Sequence, residues 1–139
     1  MNLARLLLQQ FRWFDDALRS RLADQGLAEL TTAESMVFPY LDKEGTRPAD
    51  LARRLGITRQ STQSLVKGLE GKGLVELIDD PEDGRAKKIT LTAAGRQSVP
   101  LALETFAQLE NELSMRIGAK KVTQLRNALE ADWGDSPIR

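Results

Sequence analysis

The chain is 139 residues long, and its 20 Lys and Arg balance 20 Asp and Glu to a net charge of zero. It contains neither cysteine nor histidine, which excludes disulfides, thiol sensing, Cys/His metal sites and any chemistry needing an imidazole base. No run approaches the roughly 20 apolar residues that would cross a bilayer, and the N-terminus lacks the basic, apolar, small-residue order of a signal peptide. The expectation is one soluble, cytoplasmic domain with a sizeable core, no membrane association and no cofactor.

The first predicted helix covers residues 2–24, where Leu3, Leu7, Phe11, Phe14, Leu18 and Leu22 recur at steps of three and four until Gly26. Thr31-Thr32-Ala33-Glu34 then reads as the capped start of a helix to about Leu41, with Pro39 placed to kink or shorten it. Lys43-Glu44-Gly45-Thr46 is a turn. Pro48 opens a short helix that buries Leu51, Ala52 and Leu55 and ends on a left-handed Gly56. Thr58 caps the next helix, to about Lys72, with Ile57, Thr62, Leu65, Val66 and Leu69 inward. Two helices joined by a short glycine turn are helix-turn-helix geometry.

Gly73 releases the chain into two strand-like segments, Leu74–Ile78 and Lys87–Leu91, separated by a charged turn from Asp79 to Lys88 in which Pro81 and Gly84 suit the bend. Thr92 caps a long final helical region bearing Val99, Leu103, Phe106, Leu113 and Ile117, which Pro100 bends. Gly118 divides it from a last helix with Val122, Leu125, Leu129 and Trp133.

Residues 47–96 carry ten Lys and Arg against seven Asp and Glu, so the centre is basic and the rest acidic to the same extent. Distribution matters more than the sum for a nucleic-acid partner. On the helix from Thr58, the outward set is Gln60, Gln63, Ser64 and Lys67, with Arg59 and Ser61 at the same end. Gln can pair with adenine, Arg and Lys with guanine, and Ser or Thr with either or with phosphate. The plain alternative is a solvated helix face. A solvated face would ordinarily include Asp or Glu, which phosphates repel, and the first three turns hold neither; a recognition helix is favoured.

In the charged turn, Asp83 stands two residues before Arg85 and can hold its guanidinium extended for the narrow minor groove, with Lys87 beside it. The apolar stripes near both chain ends fit packing within one copy or across a two-fold axis, and a dimer is expected. Enzymatic readings lack parts: there is no G-x-S-x-G elbow or phosphate-cradling glycine loop. The pairs Asp15/Asp16 and Asp79/Asp80 fall where side chains point apart or into solvent.

Three stretches together resemble the multiple-antibiotic-resistance regulator (MarR) family of bacterial winged-helix proteins. They are Leu30–Glu34, Leu51–Thr58 continuing to Leu69–Val75, and Asp80–Gly95, the last spelling a wing motif. The resemblance implies a mainly α fold with a small β-hairpin wing: a winged helix-turn-helix over about residues 30–92, flanked by dimerisation helices over 1–25 and 93–133, as one domain over 1–139. It implies a homodimer on double-stranded DNA that represses a palindromic promoter site, the two recognition helices about 34–36 Å apart. The DNA-contacting set it implies is Thr58, Arg59, Gln60, Ser61, Gln63, Ser64, Lys67, Asp83, Arg85 and Lys87. It also implies release by a small aromatic or acidic ligand; Arg12, Trp13 and Tyr40 offer a cation and aromatic walls for one, the plain alternative being interface packing or surface residues. Gly84 and Ser64 stand where many relatives carry arginine, and Glu76 where a basic residue is frequent.

Overall fold

The computed structural model describes residues 1–137. They fall into two compact units, Met1–Thr105 and the segment from Phe106 onward.

In the first unit, α1 spans Leu3–Asp24, begun by Asn2, whose side chain accepts the Arg5 N–H at 2.8 Å. Only the last part of the expected stripe is covered: Leu18 and Leu22 are buried, Phe14 is half-buried, and Leu3, Leu7 and Phe11 are exposed. The next helix is far shorter than the periodicity predicts. α2 covers Thr32–Ser35, and a 3₁₀ turn, Phe38–Tyr40, takes the rest. Its start is the expected capping box: Thr31 Oγ1 accepts the Glu34 N–H at 3.1 Å and Glu34 Oε1 accepts the Thr31 N–H at 2.9 Å. Its early end follows from Pro39, which has no N–H to donate to the Ser35 carbonyl and would clash with it in a continuing α-helix.

α3, Pro48–Leu55, and α4, Arg59–Gly71, form the helix-turn-helix. Gly56 turns the chain at φ 70° and donates its N–H to the Ala52 carbonyl at 2.9 Å, a conformation in which any other residue strains its Cβ. Thr58 Oγ1 accepts the Ser61 N–H at 3.0 Å and starts α4. Thr62, Val66 and Leu69 are buried as expected, the Thr62 hydroxyl being satisfied by the Thr58 carbonyl at 2.9 Å. Leu65 is only half-buried, and Ile57, expected inward, is 39% exposed, because it belongs to the turn before α4 rather than to its packed face.

The hairpin consists of β1, Val75–Asp80, and β2, Asp83–Leu91, paired antiparallel. The charged segment is therefore not a long loop. Both strands run through it, leaving Pro81-Glu82 as the turn and Gly84 inside β2 with space around it. Cross-strand pairing of Asp79 with Lys87 and of Ile78 with Lys88 sustains the ladder where composition alone suggests coil. A bridge not foreseen from sequence ties Thr46 to Ile89: N–H to carbonyl at 2.9 Å one way and 2.8 Å the other. Val37, Leu51, Leu69 and Ile89 are wholly buried, so the core gathers residues from the segment after α2, from α3 and α4, and from the hairpin.

α5 runs Ala93–Ile117 through Pro100, and α6 spans Ala119–Glu130 after Gly118. Thr92 caps α5, its Oγ1 accepting the Gly95 N–H at 3.1 Å. Trp133 lies beyond α6 rather than on it, its indole Nε1 donating to the Ala128 carbonyl at 2.8 Å. Within the second unit, Arg126 of α6 pairs with Glu110 of α5.

Gly95 is required by proximity: a Cβ there would stand 2.1 Å from the Leu74 carbonyl oxygen. Ordinarily Gly to Ala inside a helix gains about 1 kcal/mol. Here Gly95→Ala should instead destabilise the protein by about 1–3 kcal/mol as backbone is pushed apart, read as a lower urea midpoint. An unchanged or higher midpoint would show that α5 and β1 can separate freely.

Candidate nucleic-acid interface

α4 is held by one face and free on the other. Thr62, Val66 and Leu69 recur every three to four residues and fix its rotation, which leaves Arg59, Gln60, Gln63, Ser64 and Lys67 exposed. Among the described residues, none of these five makes a side-chain hydrogen bond or ion pair. Thr58 and Ser61 are already joined, the Thr58 hydroxyl donating to Ser61 Oγ at 2.9 Å, so they hold the N-terminal turn. No carboxylate appears on α4 before Glu70. The face offers amide, hydroxyl, guanidinium and ammonium groups with little to neutralise them.

At the hairpin the arrangement differs from the expected clamp. Asp83 Oδ1 accepts the Arg85 backbone N–H at 3.1 Å, not its guanidinium, since a carboxylate two residues back closes most easily on main chain. Asp83 thus shapes the strand, and the exposed Arg85 guanidinium has no partner among the described residues. Lys87 pairs with its cross-strand neighbour Asp79.

Of the pair read as pointing apart or into solvent, Asp79 is exposed and Asp80 is buried, with a relative exposure of 1%. Arg47 donates to its Oδ2 from Nε at 3.0 Å and Nη2 at 2.6 Å, the Glu82 N–H reaches Oδ1 at 3.0 Å, and Lys88 Nζ lies 3.9 Å from Oδ1. The Glu82 N–H is the main cause holding this carboxyl below its ordinary range, aided by Arg47 and Lys88 and opposed by burial. The Asp-Pro-Glu turn is a local signal for the backbone bond; nothing local announces Arg47, 33 residues away. Asp15 is likewise buried and Asp16 exposed: Asp15 accepts from Arg19 Nε at 2.9 Å and Ser35 Oγ at 2.6 Å, while Arg19 Nη2 reaches Asp16 at 2.7 Å.

Behind α4, Glu34 joins the capping box to Lys72, whose Nζ donates to Oε1 at 2.5 Å. Burial works to raise this carboxyl, but Lys72 and the Thr31 N–H together bring it below the ordinary value. A depressed carboxyl stabilises the fold above its unfolded pKa, about 4, and that stabilisation is lost as pH falls through the folded pKa. Glu34 and Asp80 both act in this sense. The urea midpoint should be flat above about pH 5 and fall below about pH 4, less steeply in Glu34→Gln; an acid limb identical in the variant would remove Glu34 from the account.

The three residues suggested for a small ligand lie in the first unit: Arg12 and Tyr40 are exposed, and Trp13 is half-buried, edge-on to Phe14 with centroids 5.0 Å apart. Two clefts among the described residues are lined by others. One of about 310 Å³ is bordered by Asp16, Arg19 and Glu29; an open one of about 590 Å³ is bordered by Ile57, Leu65, Ser64 and Lys72. No group of three or more metal-ligating side chains occurs among the described residues, and no described helix is long and apolar enough to cross a membrane.

Comparison with known proteins points the same way as the geometry. Residues 28–86 match the profile of the MarR family. The chain is 34% identical over 71 residues to the transcriptional activatory protein BadR of Rhodopseudomonas palustris, an alignment covering 48% of this chain and 41% of BadR. It spans about half the length, or less, of the curated relatives it matches. Wild-type MarR of E. coli in its apo form superposes with a TM-score of 0.72 at 23% identity, covering 94% of this chain and 96% of that one. MepR of S. aureus in a complex with DNA gives a TM-score of 0.65 at 24% identity, covering 91% and 92%. At these identities the structural likeness establishes the winged-helix fold.

Proposed function

We propose, from the premise that this chain belongs to the MarR family, that it is a sequence-specific transcriptional regulator, a homodimer that represses a promoter by covering a palindromic site in double-stranded DNA. The reading is that of a binding protein rather than an enzyme. The observation that carries it is the outward face of α4: Arg59, Gln60, Gln63, Ser64 and Lys67 are exposed, unpartnered among the described residues, and free of carboxylates. Such a helix fits a major groove, where Gln63 and Gln60 would read base edges and Arg59, Ser64 and Lys67 would meet bases or phosphates. Thr58 and Ser61 would hold the leading turn against the backbone. Arg85 would enter the minor groove, with Asp83 shaping its strand and Lys87 near the phosphates.

Support for pairing comes from apolar side chains left open near both ends of the chain, among them Leu3 and Leu8 on α1, Leu103 and Met115 on α5 and Leu125 on α6. A second copy covering them would set two recognition helices about one duplex turn apart. Release would follow if a small aromatic or acidic ligand, held by Arg12, Trp13 and Tyr40, bound the non-competent spacing better by a few kcal/mol.

The test is selection of bound fragments from the source genome, followed by affinity measurements on the selected site. Gln63→Ala should relax preference at one base position in each half-site, at about 1–3 kcal/mol against the correct base. A uniform loss across sequences would demote Gln63 to backbone positioning. Failure of the wild-type protein to retard any genomic duplex at low salt would overturn the reading in favour of a protein-interaction module.

A further inference from the structure

Resting on that reading, we infer that Asp80 and Arg47 are positioning residues: together they lock the wing against the helix-turn-helix so that Arg85 is presented at a fixed place. Two adjacent residues hold the hairpin. Thr46 fastens the hairpin along its length through its paired backbone bonds with Ile89. Those bonds alone resemble a hinge line, about which a two-stranded ribbon can twist. Arg47, the next residue, reaches past that line to Asp80, at the last position of β1 before the turn. A second attachment, away from the first, removes the remaining rotation. Arg47 is also the residue from which α3 starts, so the wing tip is joined directly to the first helix of the helix-turn-helix.

The chemistry suits a lock. Both Asp80 oxygens are occupied, Oδ2 by the Arg47 guanidinium and Oδ1 by the Glu82 N–H with Lys88 nearby. A buried carboxylate left without its partners is strongly unfavourable, so the hairpin cannot swing away while keeping this charge covered. Arg47 is 45% exposed at its side chain, so it reaches the buried carboxylate from the surface. Arg85 lies five residues beyond Asp80 on the facing strand, and any rotation of the tip carries it along.

The lock can be tested without DNA and with it. The chain has no cysteine, so Gly84→Cys and Arg53→Cys would carry one pair of nitroxide labels in each protomer, at a site with open space and at an exposed one, read within a protomer by diluting labelled chains with unlabelled ones. The expected result is one narrow distance distribution that broadens on Asp80→Asn. Arg47→Lys keeps the charge but not the two-point grip, and should broaden it less. Equal widths in all three would overturn the lock. On the selected duplex, Asp80→Asn should lose about tenfold to a hundredfold in affinity, as Arg85→Ala does, and adding Arg85→Ala should then cost little more. Losses that multiply would overturn the assignment, because a merely structural Asp80 would act independently of Arg85. Should Asp80→Asn fail to fold, Arg47→Lys carries both measurements alone. If the wild type binds no duplex, the DNA-binding reading itself falls, whereas a wild type that binds normally beside an unaffected Asp80→Asn removes only the lock.

Discussion

Replacing Arg85 by alanine should weaken duplex binding by about 1–3 kcal/mol and make the salt dependence shallower. The guanidinium is exposed at the hairpin and has no partner among the described residues, so its removal leaves no internal charge uncovered and the fold should be unchanged. That separates this variant from most charge deletions, whose effects mix binding with stability. Fluorescence anisotropy across a salt series, with a denaturation curve as control, reads both quantities. Wild-type affinity in the variant would exclude Arg85 from the groove. A loss confined to a single sequence, with an unaltered salt slope, would assign it to base reading instead.

The second large effect is expected from Leu69→Ala, a site that touches no ligand. Leu69 is wholly buried on the face of α4 opposite Gln63. Truncating a buried leucine costs about 2–5 kcal/mol, through lost transfer energy and the cavity left behind. Domains are stable by only about 5–15 kcal/mol, so a large part of the total would go. The urea midpoint should fall sharply. Intrinsic DNA affinity, measured well below the new midpoint, should fall much less, because the outward face is untouched. A small stability change would mean that α4 is not anchored by this contact, and the fixed orientation of its outer face would need another cause.

The contrast between these variants follows from how α4 is built. Its inner residues are spaced to bury, and its outer residues are consequently displayed. That division was legible in the sequence, since Thr62, Val66 and Leu69 recur at helical spacing and Thr58 is a standard N-cap. The capping box at Thr31 and Glu34 and the left-handed Gly56 were legible for the same reason. Each depends on residues within four positions of one another, where chain geometry leaves few alternatives.

Departures arose where one local signal overrode another and where a partner came from farther away. α2 stops at Ser35 because local steric exclusion at Pro39 overrides an apolar pattern that would otherwise continue. The acidic run from Asp79 reads as coil by composition, yet cross-strand lysines and the Thr46–Ile89 bridge make it strand. Sequence leaves open which carboxylate of each pair, Asp79/Asp80 and Asp15/Asp16, turns inward. Arg47 and Arg19, respectively, make burial tolerable by supplying charge and hydrogen bonds.

By itself, then, the order of residues determined the helix-turn-helix, its caps, its acid-free outer surface and the presence of a charged hairpin bearing Arg85. These follow from periodicity, cap chemistry and charge, all of which act over a turn or a strand. Tertiary structure alone decided where the hairpin is fastened and which carboxylates are hidden. Those outcomes depend on groups tens of residues apart meeting in space, and the free energy of a buried ion pair exists only once its partner has arrived.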